Sequence, residues 1–278
     1  MFEALAENKR KYQSAVGSLM YAMLGSRPDI TYAVVKVSQY CTNPDITYFT
    51  AIKRIFRYLA GTTNRGLCYG VEGLGCGFTD ADRGASEDRR SNGAYAFVLN
   101  GAAICCNSKK QTTVALSSTE AEYMALTQAV KESLWLQAIL QELGARRHME
   151  EMRNINIDNQ GAQALARNPQ YHARTKHIDI QYHFIREHVE NKSITLTNCP
   201  TGDMTADIFT KALPHPAFVK HTLGLGPIDY SAFVLQETTT PTTREYPNSH
   251  ERENTDNESP DEGWYCESPE LSFLCLLE

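Results

Sequence analysis

Between about residues 10 and 60 apolar side chains recur every three or four positions with two interruptions, and this pattern predicts three helices. Val16, Leu19, Met20, Met23 and Leu24 mark the inward stripe of the first. The next two starts share a five-residue echo, Pro28-Asp29-Ile30-Thr31-Tyr32 and Pro44-Asp45-Ile46-Thr47-Tyr48. In both, Pro early in the turn and an acid near the helix N-terminus favour initiation. The string does not occur a third time, so it reads as a shared start signal and not as a solenoid repeat. The third helix interleaves Lys53, Arg54 and Arg57 with Phe56 and Tyr58, which fits either a nucleic-acid path or a solvated basic face.

Gly61, Gly66, Gly70, Gly73 and Gly75 then punctuate a change from helical spacing to short apolar runs. Strands are predicted at Gly75–Asp80, Ala94–Leu99 and Ala103–Asn107, with Asn100-Gly101 as the hairpin turn between the last two. A long helix over Ser118–Leu143 follows, then a strand at Ile155–Asp158 and a short helix at Gln160–Arg167. A helix rich in His and aromatics near Ile178–Val189, a strand at Ser193–Asn198 and a last helix starting near Asp203 complete the series. Hairpin strands followed by alternating helix and strand imply an α/β fold with a mixed sheet and helices packed on it.

Beyond Pro227 the apolar period disappears, and low hydrophobicity with high charge predicts a disordered acidic tail over residues 228–278. The net charge of −6 hides this asymmetry. The tail carries twelve acidic side chains against Arg244 and Arg252, a charge of −10, which leaves residues 1–227 at +4. A mildly basic body suits a protein that meets a polyanion, although an ordinary solvated surface accounts for it equally well. The eight cysteines show neither a CxxC pair nor zinc-type His/Cys spacing, so reduced, mostly buried thiols are expected. No stretch approaches the roughly 18 apolar residues of a membrane span, and the first thirty residues lack a signal-peptide layout. An intracellular protein is expected, with cytoplasm and nucleus undistinguished.

Four acids lie where a strand or helix places a carboxylate: Asp80 in FTDAD, Glu122 in STEAEYMAL, Asp158 in IDNQGA and Asp207 in TADIFTKAL. Gathered carboxylates repel one another, and hard divalent cations with oxygen ligands are the usual means of keeping them ionised, so the set reads as a magnesium site. Two glutamates compete on the long helix. Ser117-x-x-Glu120 fits a capping box, which gives Glu120 a structural task at the Ser117 backbone. At 100° per residue, Glu122 aligns with Ala125, Leu126, Ala129, Leu136 and Leu140, while Glu120 aligns with Thr127, Lys131 and Glu142 on a polar side. Glu122 therefore points toward the sheet, where a carboxylate needs a cation or a proton. Asp82 shares a strand face with Asp80 if that strand continues, or else serves a turn; Asp158 could equally be a helix cap, and Asp207 an ordinary helix acid.

RPDITYAV, AIKRIFRYLAGT, GLCYG, FTDAD, DRRSNGAYAFVLNG, SKKQTTVALSSTEAEYMAL, DNQGA, RTKHIDIQYHFIRE and TADIFTKALP, in this order, resemble the C-terminal part of the Pol polyprotein of copia-type LTR retrotransposons over about residues 10–220. The resemblance implies a ribonuclease H-like mixed five-stranded sheet with flanking helices (71–220). A helical remnant of the reverse transcriptase thumb or connection (1–70) would precede it, and the acidic tail would follow. It also implies Asp80, Glu122, Asp158 and Asp207 as catalytic, metal-binding acids, with two Mg²⁺ ions about 3.5–4 Å apart and Mn²⁺ as a possible substitute. Asp80 would bridge both ions, with Glu122 and Asp158 on one side and Asp207 on the other.

The implied reaction is hydrolysis of the RNA strand of an RNA/DNA hybrid, leaving 5′-phosphate and 3′-hydroxyl ends, with recognition through the 2′-hydroxyls. Lys109, Lys110, Lys53, Arg54 and Arg57 are candidate phosphate contacts, and the polymerase part of a retroelement a candidate partner. A catalytically inactive, nucleic-acid-binding remnant is the alternative. A four-carboxylate exonuclease fits poorly, because SSTEAEYMAL and ADIFTK are not its motifs. No YxDD motif occurs, so polymerisation by this chain alone is not expected. Arg83 and Cys106 stand where relatives carry Trp, which predicts a less stable domain, since each buried ring contributes on the order of 2–3 kcal/mol.

Overall fold

The structure is a computed structural model and describes residues 2–70, 75–84, 88–167 and 179–229. The predicted acidic tail from residue 230 onward, and the RTKHI part of one quoted motif, lie outside the described residues.

Helix α1 (Phe2–Gly25) buries Tyr12, Ala15, Val16, Leu19 and Met23, a spacing of three and four residues. Met20 and Leu24, expected on that stripe, are exposed. Each lies one residue past a buried position, and 100° of rotation carries its side chain to the water-facing side. A 3₁₀ turn at Pro28–Ile30 leads into α2 (Thr31–Ser38), and α3 (Ile46–Ala60) completes the helical unit around Val34, Val37, Ile52 and Ile55.

The sequence echo divides into two uses. Asp45 caps α3, its side chain accepting from the Ile46 amide. Asp29 is instead buried and caps nothing. It takes a bidentate pair from Arg27 (Nε 3.0 Å, Nη2 2.8 Å) and a bond from the Tyr58 hydroxyl at 2.6 Å. Arg27 also donates to the Thr62 carbonyl and hydroxyl at 3.0 and 2.7 Å, so one buried cation ties the start of α2 to the end of α3.

The five-stranded mixed sheet has the order β4-β3-β2-β5-β6. Strands β2 (Cys76–Ala81), β3 (Asn92–Leu99) and β4 (Ala102–Lys110) run antiparallel, whereas β5 (Asn154–Ile157) and β6 (Thr195–Asn198) run parallel to β2. Asn100 and Gly101 take φ of 51° and 87°, the left-handed pair that a two-residue hairpin requires. Helix α4 (Ser118–Glu142) covers one face over Phe97, Tyr123, Leu126, Val130, Ile155 and Ile157. α5 (Arg146–Glu151), α6 (Gln160–Arg167) and α7 (Asp179–Glu190) complete that layer.

The opposite face holds Ala94, Ala96, Met204, Ile208, Phe209 and Leu225. The single last helix expected from Asp203 is in fact a 3₁₀ turn at Thr201–Asp203, a four-residue α8 (Asp207–Thr210) and α9 (His215–Gly224). Pro214 enforces the break, because it has no amide and disfavours helix at the residue before it. Past α9, β7 (Pro227–Asp229) pairs antiparallel with β1 (Arg65–Leu67), a two-stranded sheet that the sequence pattern does not announce. The chain between them is pinned on the hairpin, where the Ala103 amide donates to Leu225 and a Cβ on Gly226 would overlap the Gly101 carbonyl oxygen.

Cys106, read as the site of a lost Trp, lies beneath α2, with the Thr31 hydroxyl 3.9 Å from its sulfur. A small side chain at this point leaves room for α2 against the sheet. Arg83 is exposed just past β2. Among the described residues Cys41, Cys68, Cys76, Cys105, Cys106 and Cys199 are free thiols.

Removing one partner of a buried ion pair strands the other, so Asp29→Ala is expected to cost about 3–5 kcal/mol, whereas Asp45→Ala, at an exposed cap, should cost about 1 kcal/mol. Urea denaturation of both variants measures the contrast.

Candidate metal centre

Asp80 is the fifth residue of β2, a strand flanked on both sides. The ladder between β2 and β5 pairs Gly77 with Ile155 and Phe78 with Asn156. Counting on from it places Asp80 level with Asp158, the residue just past the end of β5, with the two strands about 4.8 Å apart. Glu122 enters from above, in the first turns of α4. One carboxylate oxygen from each of Asp80, Glu122 and Asp158 lies within 4.8 Å of the others.

Asp207 is not in that group of three, but it is tied to it. It opens α8, is buried, and its Oδ1 lies 2.8 Å from Lys211 Nζ, which is in turn 3.9 Å from Asp80 Oδ2. The Thr210 hydroxyl donates to the same Asp80 oxygen. Lys211 and Thr210 are functional candidates that the sequence reading passed over. The signal was there, since TADIFTK puts an acid four residues before a lysine, the favoured order for an ion pair along one helix face.

The competing structural roles fall to neighbouring residues. Asn159, not Asp158, caps α6 by accepting the Ala162 amide at 2.9 Å, which leaves Asp158 to accept from the Thr201 hydroxyl at 2.8 Å. Asp82 serves its turn, accepting from Gly84 N at 2.9 Å and Asn92 Nδ2 at 2.6 Å. Ser117 accepts the Glu120 amide as expected. The Glu120 carboxylate reaches the Leu116 amide at 2.8 Å, one residue earlier than the capping-box pattern places it.

Glu120 is also buried and not on a water-facing side, and so is Thr127, whose hydroxyl meets Gln181 of α7. α7 packs on α4 and narrows its polar stripe, leaving Lys131 and Glu142 exposed. Among the cationic candidates, Lys53, Arg54 and Arg57 line the exposed side of α3, Lys109 is exposed on β4, and Lys110 pairs with Asp88 at 3.2 Å.

The electrostatics of the cluster follow from burial. Burial, then the charges of Asp80 and Asp158, push the Glu122 carboxyl up to about 10, and its Oε2 has no hydrogen-bond partner. Burial and Asp80 push Asp207 up to about 7 against the opposing pull of Lys211. For Lys211 burial acts against the charge, but Asp80, Asp207 and Asp158 outweigh it and raise its pKa. A buried, unpartnered carboxylate oxygen among hard oxygen donors fits a divalent cation of the magnesium, manganese or calcium kind, and among the described residues the group of Asp80, Glu122 and Asp158 includes no sulfur or imidazole ligand to favour a softer one.

A mixed five-stranded α/β sheet with three carboxylates converging at its central strands defines the class of protein. No family model matches the chain. Over 212 residues, 76% of its length, it is 47% identical to the retrovirus-related Pol polyprotein from transposon TNT 1-94 of Nicotiana tabacum. Over 219 residues, 78% of its length, it is 40% identical to the corresponding polyprotein from transposon RE1 of Arabidopsis thaliana. A 128-residue stretch is 48% identical to secreted RxLR effector protein 161 of Plasmopara viticola, covering 90% of that protein. The chain belongs to the retrovirus-related Pol polyproteins of copia-type transposons, of which it spans 16% and 15% in the first two cases. Among the described residues no helix is long and apolar enough to cross a membrane.

Without divalent ions the folded chain holds a proton on Glu122 between the ordinary glutamate value of 4.5 and about 10, and on Asp207 between 3.8 and about 7, where the unfolded chain has released both. Stability is therefore expected to fall as pH rises through this window, by at most about 1.4 kcal/mol per pH unit for each proton, and more steeply below pH 7 than above it. Melting curves in EDTA from pH 5 to 9 test this. Glu122→Gln should flatten the fall above pH 7, and Mg²⁺ should raise Tm most at high pH.

Proposed function

We propose that this chain is a ribonuclease H-type nuclease that hydrolyses the RNA strand of RNA/DNA hybrids with Mg²⁺, or Mn²⁺ in its place. The observation that carries the reading is the convergence of Asp80, Glu122 and Asp158 within 4.8 Å, with one Glu122 oxygen buried and unpartnered. Asp80, Glu122 and Asp158 would hold one ion, and Asp80 with Asp207 a second. Bound there, such ions activate a water and stabilise the leaving oxygen.

The chain's own groups prepare this chemistry. Glu122 must give up its proton to serve as a ligand, so ion binding and proton release are coupled, and affinity rises with pH. Asp207 is kept near ionisation by Lys211. The half-exposed ammonium of Lys211 neutralises Asp80 and Asp207 in the ion-free fold and, on its flexible stem, can turn to a substrate phosphate. The Thr210 hydroxyl orients Asp80, and Thr201 orients Asp158. The exposed Lys53, Arg54, Arg57 and Lys109 supply phosphate contacts to the polyanion. The polymerase part of a Pol polyprotein is the proposed partner, since the relatives are polyproteins of which this chain matches only a part.

The test is cleavage of a labelled hybrid by the purified chain. Mg²⁺-dependent RNA-strand cleavage is expected, with Asp80→Asn slower by more than about a hundredfold, the scale of losing one preorganised electrostatic partner. Equal activity in Asp80→Asn, or hybrid binding without turnover at every Mg²⁺ and Mn²⁺ concentration, overturns the assignment; the second outcome establishes the inactive remnant.

Lys211→Met removes the charge that lowers Asp207, so the acidic limb of the pH–rate profile should move to higher pH and kcat should fall by about tenfold or more. A profile that superimposes on the wild type removes Lys211 from the site.

A further inference from the structure

Cross-strand partners in an antiparallel ladder share a face of the sheet. Phe78, Ala96 and Cys106 form one such row, and Asp80, Ala94 and Ser108 the next toward the metal centre. α2 sits on this face, since its first residue, Thr31, touches Cys106, and the helix packs on β4 and on α8, which carries Asp207. One residue further along α2 stands Tyr32, on the helix that packs against α8 and β4, and burial and then the charge of Asp82 push its phenol above the ordinary range. Lys36 Nζ stands 5.4 Å from the Tyr32 ring centroid. Among the described residues no carboxylate pairs with Lys36, so its ammonium rests on a π-face with its donors available. The Arg27–Asp29–Tyr58 network anchors the residues just before α2, so the pair is held in place and not carried on a mobile loop.

From this placement we infer that Tyr32 and Lys36 form a backbone-binding contact for the hybrid at the rim of the metal centre, Lys36 taking a phosphate and the Tyr32 ring an adjacent sugar. The inference rests on the proposed hybrid substrate. It makes α2 a positioning element of the site and not only a remnant leaning on the sheet.

Hybrid binding in EDTA, read by fluorescence anisotropy over a salt series, separates this from the nuclease reading. Lys36→Gln is expected to weaken binding about three- to tenfold and to reduce the salt slope by about 0.9, the loss of one phosphate contact. Lys36→Arg should restore both, and Tyr32→Phe should bind as wild type while Tyr32→Ala does not. In the cleavage assay KM for Lys36→Gln should rise by the same factor. Wild-type affinity and salt slope in Lys36→Gln overturn the inference, even where the chain cleaves. A loss of binding in Lys36→Gln with unchanged melting temperature upholds it, even where the wild type proves unable to cleave. Should Tyr32→Ala fail to fold, the Lys36 pair of variants still decides the matter.

Discussion

The mutual repulsion of buried carboxylates is the constraint on which the rest of this structure depends. Asp80 and Asp158 face each other because two parallel strands share a register, and Glu122 is delivered by the first turns of a 25-residue helix that cannot move without disturbing the main core. Such an arrangement is stable only when the excess negative charge is met. In the ion-free fold it is met twice, by a proton on Glu122 and by the ammonium of Lys211 between Asp80 and Asp207. Both are replaceable, which suits the proposed cation site better than a fixed ion-pair network would.

The surroundings relieve those acids of competing duties. Asn159 takes the cap of α6, Glu120 the entry to α4, and Asp82 the turn after β2, so Asp158, Glu122 and Asp80 each have a neighbour that performs the nearby structural task. On the sheet face that carries Asp80, α2 sits over Cys106, where a small side chain admits the helix, and the pairing of β1 with β7 binds the helical unit to the chain beyond α9. The helical unit and the sheet share one framework around the acids.

How far this was legible follows the range of each interaction. The Ser117 cap of α4 and the inward direction of Glu122 are local, and both were readable within one helix. Hairpin geometry at Asn100-Gly101 was readable for the same reason, and the ends of the expected strands differ from the structure by at most three residues. Met20 and Leu24 were misplaced because a stripe read from spacing alone was drawn wider than the surface available to cover it. Thr127 was misplaced for the opposite reason, since α7 covers a side of α4 that the helix's own pattern leaves polar, and Glu120 because its carboxylate folds back onto the Leu116 amide.

The echo PDITY states the division most plainly. The same five residues open a helix in both copies, which the sequence alone determined, because proline and a first-turn acid act on the backbone within one turn. That Asp45 remains a surface cap while Asp29 becomes the buried partner of Arg27, Tyr58 and, through Arg27, Thr62 was decided only by tertiary structure. The four acids divide in the same way. Their residue types and elements were written in the sequence, but the register that sets Asp80 against Asp158, the separation of Asp207 from that group, and the lysine between them arise from strands and helices brought together across more than a hundred residues, which no local pattern encodes.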